Sequence, residues 1–378
     1  MFKIPSSKPF LNNSEKKIVN EVLQSEWISS KGKYVESFEN KFSKYLNIKY
    51  ATTTNSGTTA IELALKSLEL NKNDVVLIPN LTFAASINAI LNSGLKPKII
   101  DTKKNSINTS LEIIKKNITK KVKAIVIVHL MGYPSDIKKI SQYCRKNKIF
   151  LIEDVAESMG AKYENKFLGT FGDIGCFSFF ANKIITTGEG GMCVTSKKNF
   201  YEKMNIIKSQ GMSKKFNYWH DYVGSNYRMT NMQAAIGLAQ MEVARKFVKA
   251  KQDLAKEYNK NLSDIKNLQL PGNFGNVVNS YWLYTVVLPE ELAGYRDKIL
   301  DFMLKDGVEA RPIFFPMSEM PPYQRYIDKH NEYPISKYLA KSSISLPSGV
   351  NLTKDDILRA SNAFIKAIDQ AQVDDELS

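Results

Sequence analysis

Short apolar runs alternate with amphipathic segments through the first half of the chain. The apolar runs have the length of buried strands and lie at Val75–Ile78, Pro97–Asp101, Ala124–Val128 and Ile149–Ile152. Segments with helical spacing lie between or near them, at Glu62–Leu68, Phe83–Leu91 and Ser135–Lys148. Strands that alternate with helices are typical of βαβ units, so the pattern predicts an α/β fold with a mostly parallel sheet covered by helices on both faces. Active sites in such sheets lie at the carboxyl ends of the strands.

The pattern changes near Val243. A long charged helix is predicted at Ala244–Asn261, followed by a strand at Tyr281–Leu288 and a helix around Arg296–Lys305. A chain of 378 residues with 43% hydrophobic content is long enough to divide into two domains. We therefore expect a large domain over residues 1–243, which includes the N-terminal segment, and a smaller α+β domain over residues 244–378.

Composition and charge disfavour several classes of protein. No apolar segment has the length of a membrane span, and the N-terminus lacks the apolar segment of a signal peptide. Three cysteines, Cys144, Cys176 and Cys193, lack the paired spacing of a metal site. The net charge is +15, but the lysines are spread along the chain and no nucleic-acid-binding motif accompanies them. These features favour a cytoplasmic protein with reduced thiols and with no metal, membrane or nucleic-acid partner.

The most informative residue is Lys183. It lies between two apolar, strand-like runs, Ile174–Phe180 and Met192–Thr195, where a lysine is costly unless its charge is neutralised or bonded. Asp154 comes just after the strand that ends at Ile152. Pyridoxal phosphate needs an amine that holds it as a Schiff base and a carboxylate that keeps its pyridine nitrogen protonated. Lys183 and Asp154 are the catalytic candidates for these roles, although any one charged residue is more often a solvated surface group.

A second signal lies at Thr54–Ala60, directly before a predicted helix. Its small hydroxyl residues and its glycine would present backbone amides and hydroxyl groups to a phosphate. The same residue types are ordinary helix caps, so the segment taken alone fits that alternative as well.

These elements together resemble the DegT/DnrJ/EryC1/StrS family of sugar aminotransferases over essentially the whole chain. The matching elements are Trp27–Gly32, Ser56–Thr58, Thr82–Phe83, Glu153–Asp154, Gly172–Ile174, Ser178 with Lys183, Thr187–Gly191 and Gly224–Asn231. The resemblance implies the fold of the fold-type I transferases that depend on pyridoxal phosphate, with a seven-stranded, mostly parallel sheet in the large domain. It also implies a homodimer in which each active site is shared between the subunits.

The resemblance assigns the cofactor contacts to particular positions. Lys183 would hold the cofactor covalently, Asp154 would pair with its pyridinium nitrogen, and Phe83 would stack on its ring. The phosphate would be held by Ser56, Gly57, Thr58 and Ser178 and, from the neighbouring subunit, by Asn226. Many family members carry glutamine or histidine where this chain has Glu157, so this extra carboxylate would either repel Asp154 or bond a donor group beside the cofactor.

Two segments, Cys176–Thr187 and Arg311–Tyr323, narrow the resemblance to the branch that makes perosamine. The implied reaction moves the amino group of L-glutamate to a nucleotide-linked 4-keto-6-deoxy sugar, with GDP-4-keto-6-deoxy-D-mannose as the expected substrate and GDP-perosamine as the product. Such a product belongs to O-antigen and lipopolysaccharide biosynthesis. Amination of a UDP- or dTDP-linked sugar, at C3 or C4, stays open because similar scaffolds accept different substrates.

Five residues are candidates for substrate contacts. Arg228 and Arg311 can bind the donor carboxylate or the nucleotide phosphates in bidentate fashion, with a surface ion pair as the alternative for each. The others are Trp27, His220 and Tyr323.

Three rival functions stay open. A sugar dehydratase would share the fold and substrate, but the family dehydratases carry histidine at the position of Lys183. A non-catalytic regulator would not need Lys183 and Asp154. A nucleic-acid-binding protein would lose affinity steeply with added salt.

Overall fold

The computed structural model describes residues 3–213, 215–273, 275–328 and 331–376. Its helices are α1 (Asn13–Gln24), α2 (Lys33–Leu46), α3 (Gly57–Ser67), α4 (Ala84–Asn92), α5 (Leu111–Asn117), α6 (Ile137–Lys146), α7 (Lys198–Ile207), α8 (Asn231–Leu262), α9 (Arg296–Lys305), α10 (Pro334–Ser342) and α11 (Lys354–Glu376). Its strands are β1 (Tyr50–Thr54), β2 (Val75–Pro79), β3 (Lys96–Ile100), β4 (Val122–Val128), β5 (Phe150–Asp154), β6 (Lys162–Tyr163), β7 (Lys166–Phe167), β8 (Ile174–Ser178), β9 (Gly191–Thr195), β10 (Val277–Val278), β11 (Tyr284–Val287), β12 (Arg311–Pro312) and β13 (Ser343–Leu346). Short 3₁₀ turns lie at Leu130–Gly132, Glu290–Tyr295, Met317–Glu319 and Pro321–Tyr326.

Seven strands form the central sheet, in the order β1-β9-β8-β5-β4-β2-β3. Strand β9 runs antiparallel to both of its neighbours, and the other pairs are parallel. Ile125 and Ile127 of β4 pack into one hydrophobic cluster and Ala124 and Val126 into another, because successive side chains of a strand point to opposite faces. The predicted α/β fold with a mostly parallel seven-stranded sheet is therefore confirmed.

The apolar runs form the predicted strands with small shifts at their ends. Asp154 is the last residue of β5, not the residue beyond it. The helix predicted to begin at Phe83 begins one residue later, because Phe83 has an extended backbone and acts as the N-cap of α4.

Helix α8 begins at Asn231, well before the predicted Ala244. Thr230 fixes this start: its hydroxyl accepts a hydrogen bond from the Gln233 amide, and the Gln233 side chain accepts one from the Thr230 amide at 2.9 Å. The predicted domain boundary after residue 243 falls inside this helix. Its first half packs on the large core through residues such as Met241, and its second half packs on a smaller core through Tyr258.

The smaller core surrounds a second sheet. Strands β11, β13 and β12 form an antiparallel sheet in that order. Tyr284 and Ile344 of this sheet pack with Phe364 of α11 and with Ile4 near the N-terminus. The domain limits 1–243 and 244–378 stay a prediction. Within the described ranges, no helix combines the length and the apolar character that a membrane span requires.

Candidate active site

A cavity of about 520 Å³ opens at the carboxyl ends of three neighbouring parallel strands. Val128, Asp154 and Ser178 are the last residues of β4, β5 and β8, and all three line it. Nine of the predicted site residues line the same cavity: Ser56, Gly57, Thr58, Phe83, Asp154, Glu157, Ser178, Lys183 and Arg311. The fold thus brings together residues from five separate parts of the chain.

Lys183 lies in the connection between β8 and β9. The ends of this connection are tied together, because the Phe179 amide donates to the Gly190 carbonyl at 2.8 Å and the Thr187 amide donates to the Phe179 carbonyl at 2.9 Å. The Lys183 side chain is 13% exposed, and its Nζ lies 3.7 Å from Oε1 of Glu157. Burial lowers the pKa of Lys183, although the neighbouring carboxylates oppose the shift. A lysine whose neutral form is favoured in this way can act as a nucleophile and as a base.

Asp154 is buried at the floor of the cavity. Its Oδ2 accepts a hydrogen bond from the Ser86 hydroxyl at 2.7 Å, and its Oδ1 accepts one from the Ala156 amide at 3.1 Å. Burial raises the pKa of Asp154, and these two bonds together with the charge of Lys183 offset part of that effect. The ionised carboxylate therefore gains from a further cationic partner, and a protonated pyridine nitrogen is such a partner.

Glu157 lies between Lys183 and a turn of unusual backbone. Its Oε2 accepts a hydrogen bond from the Met131 amide at 2.8 Å, and Met131 adopts a left-handed conformation with φ 55°. Burial raises the pKa of Glu157 to about 7; the charge of Lys183 opposes this shift and the charge of Asp154 adds to it. Both effects considered for Glu157 from the sequence are present, since it bonds a donor and also feels the repulsion of Asp154.

The first turn of α3 faces the cavity. The Ser56 hydroxyl caps this helix by accepting a hydrogen bond from the Thr59 amide at 3.2 Å. The first amides of a helix have no acceptor within the helix, so those of Gly57 and Thr58 are oriented to bind an anion. A side chain at position 57 would not fit, because its Cβ would lie 2.7 Å from the Cβ of Ser178. The glycine thus lets Ser178 and the helix N-terminus approach each other closely.

Three phenylalanines line the cavity: Phe83, Phe180 and Phe314. Phe83 is 58% exposed. Its ring lies 5.5 Å from that of Phe314, tilted by 52°. An exposed ring next to a polar cavity is available to cover a flat ligand.

Of the five predicted substrate residues, Arg311 lines the cavity. Those that do not line it are Trp27, His220, Arg228 and Tyr323. Arg311 donates hydrogen bonds to Oε1 of Glu309 and is about half exposed. Trp27 lies beside a separate surface pocket, and Tyr323 is buried, with its hydroxyl bonded to Oδ1 of Asn88 at 2.8 Å. His220, which is exposed, and Arg228, which is half-buried, lie in one segment with the predicted phosphate contact Asn226, which is exposed. The Asn226 carbonyl accepts a long hydrogen bond of 3.4 Å from the Asn55 side chain, which places this segment next to the start of α3.

Several residues of the site carried no clear signal in the sequence. Ser86 and Trp282 line the cavity without belonging to any motif that chemistry alone would single out. Glu153 matched a family element, but its partners lie elsewhere in the chain: His129 and the amides of Gly169, Phe171 and Gly172. His129 Nδ1 accepts a hydrogen bond from the Ser135 amide at 3.2 Å. The ring proton is therefore assigned to Nε2, which donates a hydrogen bond to Glu153.

The residues present fit pyridoxal phosphate. The cavity joins a buried lysine amine, a buried carboxylate with room for a cationic partner, and a helix N-terminus suited to a phosphate. Together these groups define the site of an enzyme that binds this cofactor at the carboxyl edge of a parallel sheet.

Comparison with known proteins identifies the family. Residues 9–364 match the DegT/DnrJ/EryC1/StrS aminotransferase family, so the chain belongs to that family. It is 42% identical over 355 residues to a GDP-perosamine synthase of Escherichia coli O157:H7, covering 94% of this chain and 96% of the relative. It is 38% identical over 361 residues to a GDP-perosamine synthase of Vibrio cholerae, covering 96% and 98%.

A solved structure agrees with the sequence comparisons. Helicobacter pylori PseC, an aminotransferase involved in the biosynthesis of pseudoaminic acid, is 27% identical and superposes with a TM-score of 0.92 over 97% of this chain and 99% of its own. The predicted family, enzyme class and cofactor are thereby confirmed: the chain is a sugar aminotransferase that uses pyridoxal phosphate.

Proposed function

We propose that this enzyme transfers the amino group of L-glutamate to C4 of GDP-4-keto-6-deoxy-D-mannose and so produces GDP-perosamine. The observation that carries the proposal is the placement of the Lys183 amine in one cavity with Asp154 and the first turn of α3. The identity of more than a third of all residues with two enzymes named GDP-perosamine synthase supports this choice of sugar nucleotide.

Each residue of the cavity has a task in this reaction. When bound, pyridoxal phosphate supplies an aldehyde that exchanges between amines and a ring that accepts electrons. Asp154 would keep a proton on the ring nitrogen, and Gly57, Thr58 and Ser178 would bind the phosphate. Phe83 would cover the ring.

Lys183 moves the protons. Its Nζ removes the proton from the α-carbon of glutamate and later delivers a proton to C4 of the sugar, while 2-oxoglutarate leaves between these steps. The low exposure of the side chain keeps water from competing for these protons. Glu157 lies 3.7 Å from Nζ and stabilises the amine each time that it is charged.

Arg311 is the proposed anchor for a substrate anion. Glu309 orients its guanidinium at the rim of the cavity, where one face stays exposed to solvent. A guanidinium in this position binds either the donor carboxylate or a nucleotide phosphate in bidentate fashion. The basic surface of the protein, with a net charge of +15, attracts both anions.

We further propose that the enzyme is a cytoplasmic homodimer that supplies O-antigen and lipopolysaccharide biosynthesis. Asn226 lies in an exposed segment outside the cavity of its own subunit, which agrees with a contact to the partner's cofactor. Trp27, His220, Arg228 and Tyr323 remain proposed substrate contacts, and the first three lie on the surface where a second subunit could bring them to the site.

A panel of sugar nucleotides tests the proposal. The cofactor-loaded enzyme and L-glutamate are incubated with 4-keto-6-deoxy sugars linked to GDP, UDP or dTDP, and with a 3-keto sugar, and the products are identified by mass spectrometry and NMR. We expect amination at C4 of the GDP-linked sugar with the highest kcat/KM. Preference for another nucleotide, or amination at C3, would show that the proposed substrate is wrong. Loss of the C3 hydroxyl without amination would indicate a dehydratase.

A further inference from the structure

The Lys183 amine lies against the face of an indole ring. Its Nζ is 3.7 Å from the centroid of the Trp282 ring, the distance of a close cation–π contact. Trp282 is 4% exposed and comes just before β11, so the contact joins the cavity to the smaller sheet. A desolvated ammonium gains more from such a ring than an exposed one does.

The same indole ring also fixes the backbone next to Lys183. The Trp282 Nε1–H donates a hydrogen bond of 2.8 Å to the carbonyl of Asn182. The Ser7 hydroxyl donates a longer one, of 3.5 Å, to the same carbonyl. One side chain therefore contacts both the amine of Lys183 and the peptide group that precedes it.

A buried lysine binds the backbone of Trp282. Lys251 of α8 is 2% exposed, and its Nζ donates hydrogen bonds to the Trp282 carbonyl at 2.9 Å and to the Ser348 carbonyl. Burial lowers the pKa of Lys251 to about 7. Burying the Lys251 amine costs free energy. A role in positioning Trp282 explains this cost more readily than packing alone does.

We propose that Trp282 is a positioning residue for Lys183: its ring stabilises the protonated amine, its N–H fixes the adjacent backbone, and Lys251 fixes Trp282. This assignment rests on the proposed function, in which the free amine must take up and release a proton inside a buried cavity. Other charged groups act on the amine as well, and those that line the cavity or the space behind it are Asp154, Glu157, Glu189, Arg311, Lys8 and Lys251.

The charge state of Lys183 can be measured without cofactor or substrate. Full-length, cofactor-free protein is labelled with trace acetic anhydride over a neutral to alkaline pH series, and the labelled peptides are quantified by mass spectrometry. The pH at which Lys183 becomes reactive is compared between wild type, Trp282→Phe and Trp282→Leu. Trp282→Met, which lacks a ring but fills the space, replaces the leucine variant if that variant does not fold. Trp219→Leu, which changes an exposed tryptophan, is the matched control.

We expect reactivity to appear at the highest pH in wild type, at a lower pH in Trp282→Phe and at the lowest in Trp282→Leu, about one unit below wild type. Reactivity at the wild-type pH in the leucine or methionine variant would overturn the role of the ring.

The role of the indole N–H is tested by equilibrium dialysis against pyridoxal phosphate, which should show about threefold to tenfold weaker binding by Trp282→Phe. Unchanged binding by this variant would overturn that part. Because the labelling uses no sugar nucleotide, failure of the substrate panel leaves its outcome intact.

Discussion

Glu153 and Asp154 are neighbours on β5, yet their surroundings differ. Glu153 is fully buried and accepts hydrogen bonds from four donors: the amides of Gly169, Phe171 and Gly172 and Nε2 of His129. Asp154, on the opposite face of the strand, accepts from two donors among the residues that the structure describes, Ser86 and Ala156. Burial raises the pKa of Asp154.

The difference distinguishes a structural carboxylate, Glu153, from the carboxylate proposed to be reactive, Asp154. The four donors of Glu153 occupy the hydrogen-bond acceptor positions of its carboxylate, and three of them hold the turn between β7 and β8 in place. The Asp154 carboxylate can still accept a hydrogen bond from one more donor on the side that faces the cavity. We therefore propose that the two adjacent acids serve folding and chemistry separately, so substitutions at each should affect different properties.

The largest effect is expected from Asp154→Asn. An amide cannot hold a proton on the cofactor ring, so kcat/KM should fall by about 10³-fold, within the range for loss of one acid–base group. The melting temperature should stay the same or rise, because an incompletely bonded buried charge is removed. Steady-state kinetics and thermal unfolding of the same preparation check both statements, and a comparable loss of stability would contradict the division of roles.

A smaller effect, on stability, is expected from Glu153→Gln. The glutamine amide would point an N–H group at an N–H donor and leave buried groups without partners, at a cost of about 3 kcal/mol. Thermal unfolding of the cofactor-free protein measures this, and the cofactor spectrum of the variant that remains folded should match wild type. If Glu153→Gln melted like wild type but lost the cofactor spectrum, the two acids would have exchanged roles.

The smallest effect concerns pH. The pKa of Glu157 is raised to about 7, so its contribution to stability is fully present at acid pH and is lost as the pH rises through about 7. Glu157→Gln cannot ionise and should escape this loss. Relative to wild type, the cofactor-free variant should gain about 1 to 3 kcal/mol between acid and alkaline pH. Parallel melting curves at every pH would show that Glu157 ionises normally in the folded protein.

Local sequence was enough to predict the strands and to select Lys183 and Asp154 as candidates, which the fold brings into one cavity. Continuous apolar runs make central parallel strands easy to recognise, and a lysine between two such runs has few structural explanations. The roles of Trp282 and His129 could not be predicted, because their partners come from distant parts of the chain. The bond from Trp282 to the Asn182 carbonyl, for example, spans 100 positions, so no local pattern predicts it.

The start of α8 shows a different limit. The charged pattern of its second half predicts a long charged helix, whereas its first half is rich in alanine and packs on the large core. A helix that changes its buried face along its length gives no single periodicity. The capping pair Thr230 and Gln233 was the local signal that could have placed its first turn.

The most direct test of the central claim, that Lys183 carries the cofactor and moves the protons of transamination, is an absorbance spectrum. Purified protein loaded with pyridoxal phosphate is recorded before and after addition of L-glutamate, with Lys183→Ala beside it and Lys138→Ala, an exposed lysine, as the matched control. We expect the visible band of the lysine-bound cofactor to convert to the near-ultraviolet band of the amine form in wild type and Lys138→Ala but not in Lys183→Ala. No visible band in wild type after addition of the cofactor, or the same conversion in Lys183→Ala, would contradict the account.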